Sequence, residues 1–134
     1  MKQLIKVVGI AFIIMILASG CGIISAKTIT LDKKANASII EFREGDKLDV
    51  LLQGNPSTGY SWTIDSLDST ILEESAEPEF KPDNDLVGAG GEFTFHFEAL
   101  KSGETTLKLI YHRSWEKDKE PLDTFEITVV VEEL

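Results

Sequence analysis

The sequence predicts an all-β domain, an antiparallel β-sandwich of seven or eight strands. Three observations carry this expectation. Several segments alternate apolar and polar residues with period two, the mark of strands that bury one face. Turn signals rich in Gly, Asp and Ser separate those segments. No stretch shows a sustained 3.6-residue apolar period, and Ser66–Glu74 has room for one helical turn at most.

The strands follow in chain order. Thr28–Leu31 and Ser38–Phe42 are short candidates. Leu48, Val50 and Leu52 share one face of the next, and Arg43-Glu44-Gly45-Asp46 forms the turn that leads into it. Tyr60–Ile64 and Leu72–Phe80 follow. Glu92–Ala99 has the clearest pattern: Phe93, Phe95, Phe97 and Ala99 fall on one face, and Glu92, Thr94, His96 and Glu98 on the other. Lys101-Ser102-Gly103-Glu104 reads as a hairpin into Thr105–Tyr111, where Leu107, Leu109 and Tyr111 share a face. Thr124–Val131 turns Phe125, Ile127, Val129 and Val131 inward. Short strands at this density in a chain of this length fit an immunoglobulin-like sandwich, here without the cysteine pair of antibody domains.

Composition narrows the function. The chain has 134 residues, 13 basic and 23 acidic, with a net charge of −10. Its 43% hydrophobic and 27% charged content is that of a globular domain. An acidic chain lacks the basic surface that neutralises nucleic-acid phosphates. One cysteine allows no intrachain disulfide and no multi-cysteine metal site. His96 and His112, the two histidines, show no acid–base–nucleophile spacing with Ser57 or Ser61, so a hydrolase is not expected. No cofactor or metal is expected. Asp83-Asn84-Asp85 lacks the glycine and distal glutamate of a calcium loop.

The first 20 residues read as a targeting segment, not as part of the fold. Lys2 and Lys6 precede an apolar run, Val7–Ala18, which at about 12 residues is short of a comfortable membrane span. Ala18-Ser19-Gly20-Cys21 is similar to a lipobox, which makes residues 1–20 a lipoprotein signal peptide cleaved before Cys21. Cys21 is then the lipidation site, residues 21–27 a tether, and 28–134 the functional domain. The mature chain is expected to be exported, held on the outer face of the cell membrane through that lipid or secreted, and monomeric. Asn36-Ala37-Ser38 is a formal glycosylation acceptor at Asn36.

Three inter-strand segments carry chemistry. Asn55-Pro56-Ser57-Thr58-Gly59-Tyr60 joins residues that favour a compact, defined loop. Gly88-Ala89-Gly90-Gly91 implies mobility or a close backbone approach; no helix follows to make it a phosphate cradle. Arg113-Ser114-Trp115 sets two residue types common at binding hot spots in a turn-like stretch. A plainer reading has Trp115 packing on the sandwich edge and Arg113 pairing with an acid. In an immunoglobulin-like sandwich, loops that follow strands of one direction gather at one end.

Together the three segments resemble the chagasin family of cysteine-protease inhibitors, marked by Asn-Pro-Thr-Thr-Gly-Tyr/Phe, Gly-x-Gly-Gly and Arg-Pro-Trp loops in that order. The resemblance covers about residues 28–132, and Tyr60-Ser61-Trp62 also fits it. Ser57 replaces the first threonine of the first motif, and Ser114 replaces the proline of the third. The resemblance implies an inhibitor, not an enzyme, whose three loops reversibly and competitively occlude the cleft of a papain-like cysteine protease. It places Ser57 and Thr58 nearest the catalytic cysteine and histidine. It places Trp115 against aromatic residues on the leaving-group side, and Gly88–Gly91 on the other side. Arg113 and Trp115 are the expected anchors. Ser114 is expected to loosen its loop and weaken inhibition without abolishing it. The competing expectation is a surface lipoprotein that keeps the fold as a structural or binding domain and has lost inhibition.

Overall fold

The computed structural model describes residues 25–134. The signal segment expected at 1–20 and the lipidation expected at Cys21 lie outside the described residues.

Eight strands form two four-stranded sheets: β1 (Thr28–Leu31), β2 (Ile39–Arg43), β3 (Lys47–Gly54), β4 (Ser61–Ser66), β5 (Leu72–Pro82), β6 (Gly91–Ala99), β7 (Gly103–His112) and β8 (Asp123–Glu132). One sheet has the order β1-β3-β6-β5, the other β2-β8-β7-β4. The sandwich is the one the sequence predicts, and the strands lie within a few residues of their predicted bounds. Each sheet adds one feature that alternation cannot show: the edge pairs β1–β3 and β2–β8 run parallel, while the remaining pairs are antiparallel. The stretch after Ser66 is a single turn, in which the Asp68 carbonyl accepts from the Ile71 and Leu72 amides at 3.1 Å.

Period-two alternation decides what is buried. Along β6, residues Phe93, Phe95, Phe97 and Ala99 are buried, while Thr94, His96 and Glu98 face outward. They meet Leu48, Val50 and Leu52 of β3 and the inward faces of β7 and β8, with Leu107, Leu109, Phe125, Ile127 and Val129 at 1% exposure or less. Truncating one such buried phenylalanine typically costs about 3–5 kcal/mol. Every buried side-chain polar atom among the described residues has a hydrogen-bond partner. Buried Asp46 accepts from the amides of Lys27 at 3.0 Å and Arg43 at 2.8 Å. Burial pushes its carboxyl up, but these two amides and the charges of Lys27 and Arg43 more than reverse that and hold it below its usual range.

Register fixes the two poles of the sandwich. The end of β3 pairs with the start of β6 (Gly54 with Gly91), and the end of β5 meets the same residue (Pro82 with Gly91). In the other sheet the start of β4 pairs with the end of β7 (Ser61 with His112), and Tyr111 pairs with Asp123 at the start of β8. The β3–β4, β5–β6 and β7–β8 loops therefore emerge at one pole. These are the three segments singled out in the sequence.

Candidate functional site

The first loop, Asn55–Tyr60, folds on its own side chains. Asn55 caps a 3-10 turn, Pro56–Thr58: its Oδ1 accepts from the Ser57 amide at 3.1 Å and from Ser57 Oγ at 2.6 Å. Proline at the first position of that turn loses no hydrogen bond. The turn ends at Gly59, whose φ of +86° is left-handed and whose amide donates to the Pro56 carbonyl at 3.0 Å. Thr58 Oγ1 donates to the Asn55 carbonyl at 2.6 Å. Beneath the loop lies Tyr111, whose hydroxyl accepts from the Asn55 amide at 2.7 Å. Its ring stacks on Tyr60 at 5.3 Å and tilts against Trp62 at 5.2 Å. Trp62 in turn donates its indole N–H to the Gln53 carbonyl at 3.0 Å. Aromatic residues of β4 and β7 thus form the floor on which the loop rests.

The second loop is closed at its base, where the Asp83 amide donates to the Gly90 carbonyl at 3.0 Å. Asn84 Oδ1 accepts from the Leu86 amide at 2.9 Å, and the Ala89 amide donates to the Leu86 carbonyl at 3.2 Å. Asp83-Asn84-Asp85 therefore serves as a turn. Among the described residues no group of three His, Cys, Asp or Glu side chains is placed to hold a metal ion. Gly91 meets the close-approach requirement expected of this glycine run. It is buried against β5, and a side chain there would collide with the backbone of Lys81 and Pro82. The tip carries two residues the sequence reading passed over, Leu86 at 74% exposure and fully exposed Val87. Their signal was available: adjacent large apolar residues inside a polar loop have no core to join.

The third loop begins at Arg113 and is closed by the Leu122 amide donating to the Tyr111 carbonyl at 2.8 Å. Arg113 donates from Nε and Nη2 to the Thr58 carbonyl at 3.1 and 2.9 Å, and from Nη1 to Glu116 at 3.1 Å. Its guanidinium lies 4.4 Å from the centre of the Tyr60 ring. Arg113 thus pairs with an acid, as the plainer reading had it. Trp115 instead stays 66% exposed, with its ring edge over Gly59. Ser114 occupies the second position of a turn closed by the Glu116 amide donating to the Arg113 carbonyl at 3.0 Å.

The first loop joins the other two. Asn55 Nδ2 donates to the Gly88 carbonyl at 2.9 Å, and Ser57 Oγ lies 3.4 Å from the same atom. On the other side, the Thr58 carbonyl takes two of the three Arg113 bonds. The predicted loop residues Asn55–Tyr60, Gly88–Gly90 and Arg113–Trp115 therefore belong to one contiguous surface, whereas Gly91 is buried as the first residue of β6, packed against β5, and supports its loop from below.

The two histidines enter no catalytic arrangement, and only His112 borders this surface, beside Tyr60 and Arg113. His96 Nδ1 lies 2.7 Å from Asp49 on the outer face of its sheet, and His112 Nε2 lies 2.8 Å from Thr63 Oγ1. Asn36 is exposed in the turn before β2, its Oδ1 accepting from the Glu126 amide at 2.8 Å.

Comparison with known proteins agrees with this geometry. The sequence model of the "Chagasin family peptidase inhibitor I42" matches residues 41–129. Amoebiasin-2 of Entamoeba histolytica is 34% identical over 103 residues, covering 75% of this chain and 83% of its own length. Chagasin of Trypanosoma cruzi is 30% identical over 87 residues, covering 62% and 79%. The crystal structure of a cysteine protease inhibitor from Entamoeba histolytica superposes with a TM-score of 0.73 at 30% identity, covering 81% of this chain and 99% of that one. With the fold, the loop order and the family match in agreement, the chain belongs to the chagasin family of peptidase inhibitors.

Proposed function

We propose that this chain is a reversible, competitive inhibitor of papain-like cysteine proteases that fills the active-site cleft with its three loops. The observation that carries the reading is contiguity: hydrogen bonds from Asn55 to Gly88 and from Arg113 to Thr58 make three loops one wedge. Asn55–Tyr60 lies over the catalytic cysteine and histidine, with Ser57 and Thr58 nearest them. Trp115 takes the leaving-group side, and Gly88–Gly91 the other, where exposed Leu86 and Val87 extend the apolar surface. The chain is an inhibitor, not an enzyme, and no cofactor takes part.

The geometry accounts for inhibition without cleavage. A thiolate needs a carbonyl presented in line, with its oxygen free to enter an oxyanion hole. In the first loop the Asn55 carbonyl accepts from Thr58, that of Pro56 from Gly59, and that of Thr58 from Arg113. Oxygens held this way are poor substrates, and the preformed loop loses little conformational freedom on binding.

Titration of papain with the purified chain, followed with a peptide substrate, tests the reading. Stoichiometric, substrate-competitive loss of activity is expected. Trp115→Ala should weaken binding by about 2 kcal/mol, roughly 30-fold. Undiminished cleavage by several papain-like enzymes at micromolar inhibitor overturns it.

We further place the mature chain outside the cell, lipidated at Cys21, monomeric, and open to glycosylation at Asn36 where the host has that machinery. The position of the tether supports the anchoring. The Lys27 carbonyl accepts from the Lys47 amide at 2.8 Å and its amide donates to Asp46, so the chain enters the fold at the start of β3. That is the pole opposite the loops, a strand length of about 25 Å away. Mass spectrometry of the membrane-extracted protein reads the modification at Cys21 directly.

A further inference from the structure

Arg113 is the conspicuous cation of the loop pole, yet its donors point inward. Nε and Nη2 hold the Thr58 carbonyl, and Nη1 holds Glu116 Oε1. Glu116 is the less obvious partner. Its side chain is only 17% exposed, and its two carboxylate oxygens each lie 3.1 Å from a cation, Arg113 on one side and Lys119 on the other. Its amide donates to the Arg113 carbonyl. One residue thus holds Arg113 by backbone and side chain together, and between the two contacts lies the turn that carries Ser114 and Trp115. At the second position of such a turn a proline presets φ, whereas serine leaves it free.

We infer that Glu116 is a positioning residue for inhibition: it braces Arg113 against the Thr58 carbonyl and so fixes Trp115 beside the first loop, replacing the restraint lost with Ser114. The inference rests on the reading of the loop pole as a protease wedge. Exposed ion pairs contribute little, but this carboxylate is half sheltered and shared by two cations in charge-assisted bonds. Arg113 and then Lys119 hold its carboxyl below the usual range, so the brace persists in mildly acidic solution. Glu116 lies between the end of β7 and the start of β8, so its removal loosens a loop without unfolding the sandwich. A loosened loop is a cost met on binding, which appears in the dissociation rate.

The test is a cycle of four full-length proteins against papain: wild type, Glu116→Ala, Ser114→Pro and the double variant, with association rate, dissociation rate and melting temperature measured for each. In the wild-type background Glu116→Ala should raise the dissociation rate about tenfold, with association changed less than about twofold. In the Ser114→Pro background the same change should cost less than about threefold, because proline supplies the restraint. Glu116→Ala should leave the melting temperature unchanged in either background, whatever shift the proline itself brings. Glu116→Gln keeps the size and an acceptor while removing the charge, and should fall between wild type and Glu116→Ala. An equal loss in both backgrounds overturns the inference, since Glu116 would then act independently of the turn; so does an unchanged dissociation rate for Glu116→Ala and Glu116→Gln. A wild-type chain that leaves papain active overturns the inhibitor reading instead.

Discussion

Gly59 shows how one residue can serve two loops. Its φ of +86° ends the 3-10 turn of the first loop, and a β-carbon there would lie 2.5 Å from the Trp115 ring. Gly59→Ala should therefore cost about 1 kcal/mol in stability from left-handed backbone strain. It should weaken inhibition well beyond that, by tenfold or more on the scale of hot-spot losses, because the exposed Trp115 must move. A denaturant melt beside a papain titration separates the two effects, and equal inhibition by Gly59→Ala and wild type would refute the coupling. The sequence marks Gly59 and Trp115 separately, through a turn motif and a residue preference. It does not mark their contact, since 55 positions of chain lie between them and nothing local encodes the approach. Tyr111 was legible only as an inward residue of its strand; that its hydroxyl supports Asn55 depends on the two sheets facing each other.

At the scale of elements, the outer face of the β1-β3-β6-β5 sheet carries a cross-strand device. His96 of β6 lies 2.7 Å from Asp49 of β3 and 3.6 Å from Glu79 of β5. The hydrogen bond to Asp49 raises the imidazole above its ordinary 6.5, against a smaller opposing effect of burial, and Glu79 adds to the rise. A raised folded value means that protonation favours the folded state. The contribution is full below about pH 6.5 and fades as pH rises through the folded value. Urea midpoints of wild type and His96→Ala should differ most near pH 5 and converge toward pH 9, by under about 1 kcal/mol for a partly solvated cluster. A gap that widens with pH would refute this. β5 itself is an edge strand with register shifts at Glu74/Ala76 and Ala76/Glu79, and with glutamates at 73, 74, 77 and 79. Bulges and edge charges of this kind discourage pairing with another chain. Alternation located the strands, because it is a property of a single segment. The parallel pairing of β1 with β3 and of β2 with β8 is a property of two segments, and so was not legible.

On the scale of the whole molecule, Lys27, where the described chain enters the fold, and the loops occupy opposite poles. Anchored through Cys21, the domain would hold its wedge away from the bilayer, where a diffusing protease can reach it. The lipidated chain on vesicles should then inhibit papain within about twofold of a soluble Cys21→Ser variant, since neither interface cost nor loop geometry changes. Marked weakening on the vesicle would mean that the loops face the membrane. The acidic body acts over the same distances: it should change association rate with ionic strength far more than dissociation rate.

By itself the sequence determined the fold class, the strand positions and the identity of the three loops. Period-two burial, turn chemistry and the Asn-Pro-Ser-Thr-Gly-Tyr, Gly-Ala-Gly-Gly and Arg-Ser-Trp segments are each written locally. Only the tertiary structure decided that those loops touch, that Arg113 turns inward to join two of them, and that Leu86, Val87 and Glu116 belong with them. Those facts depend on strand register and on the closure of two sheets, which bring together residues that no local pattern relates.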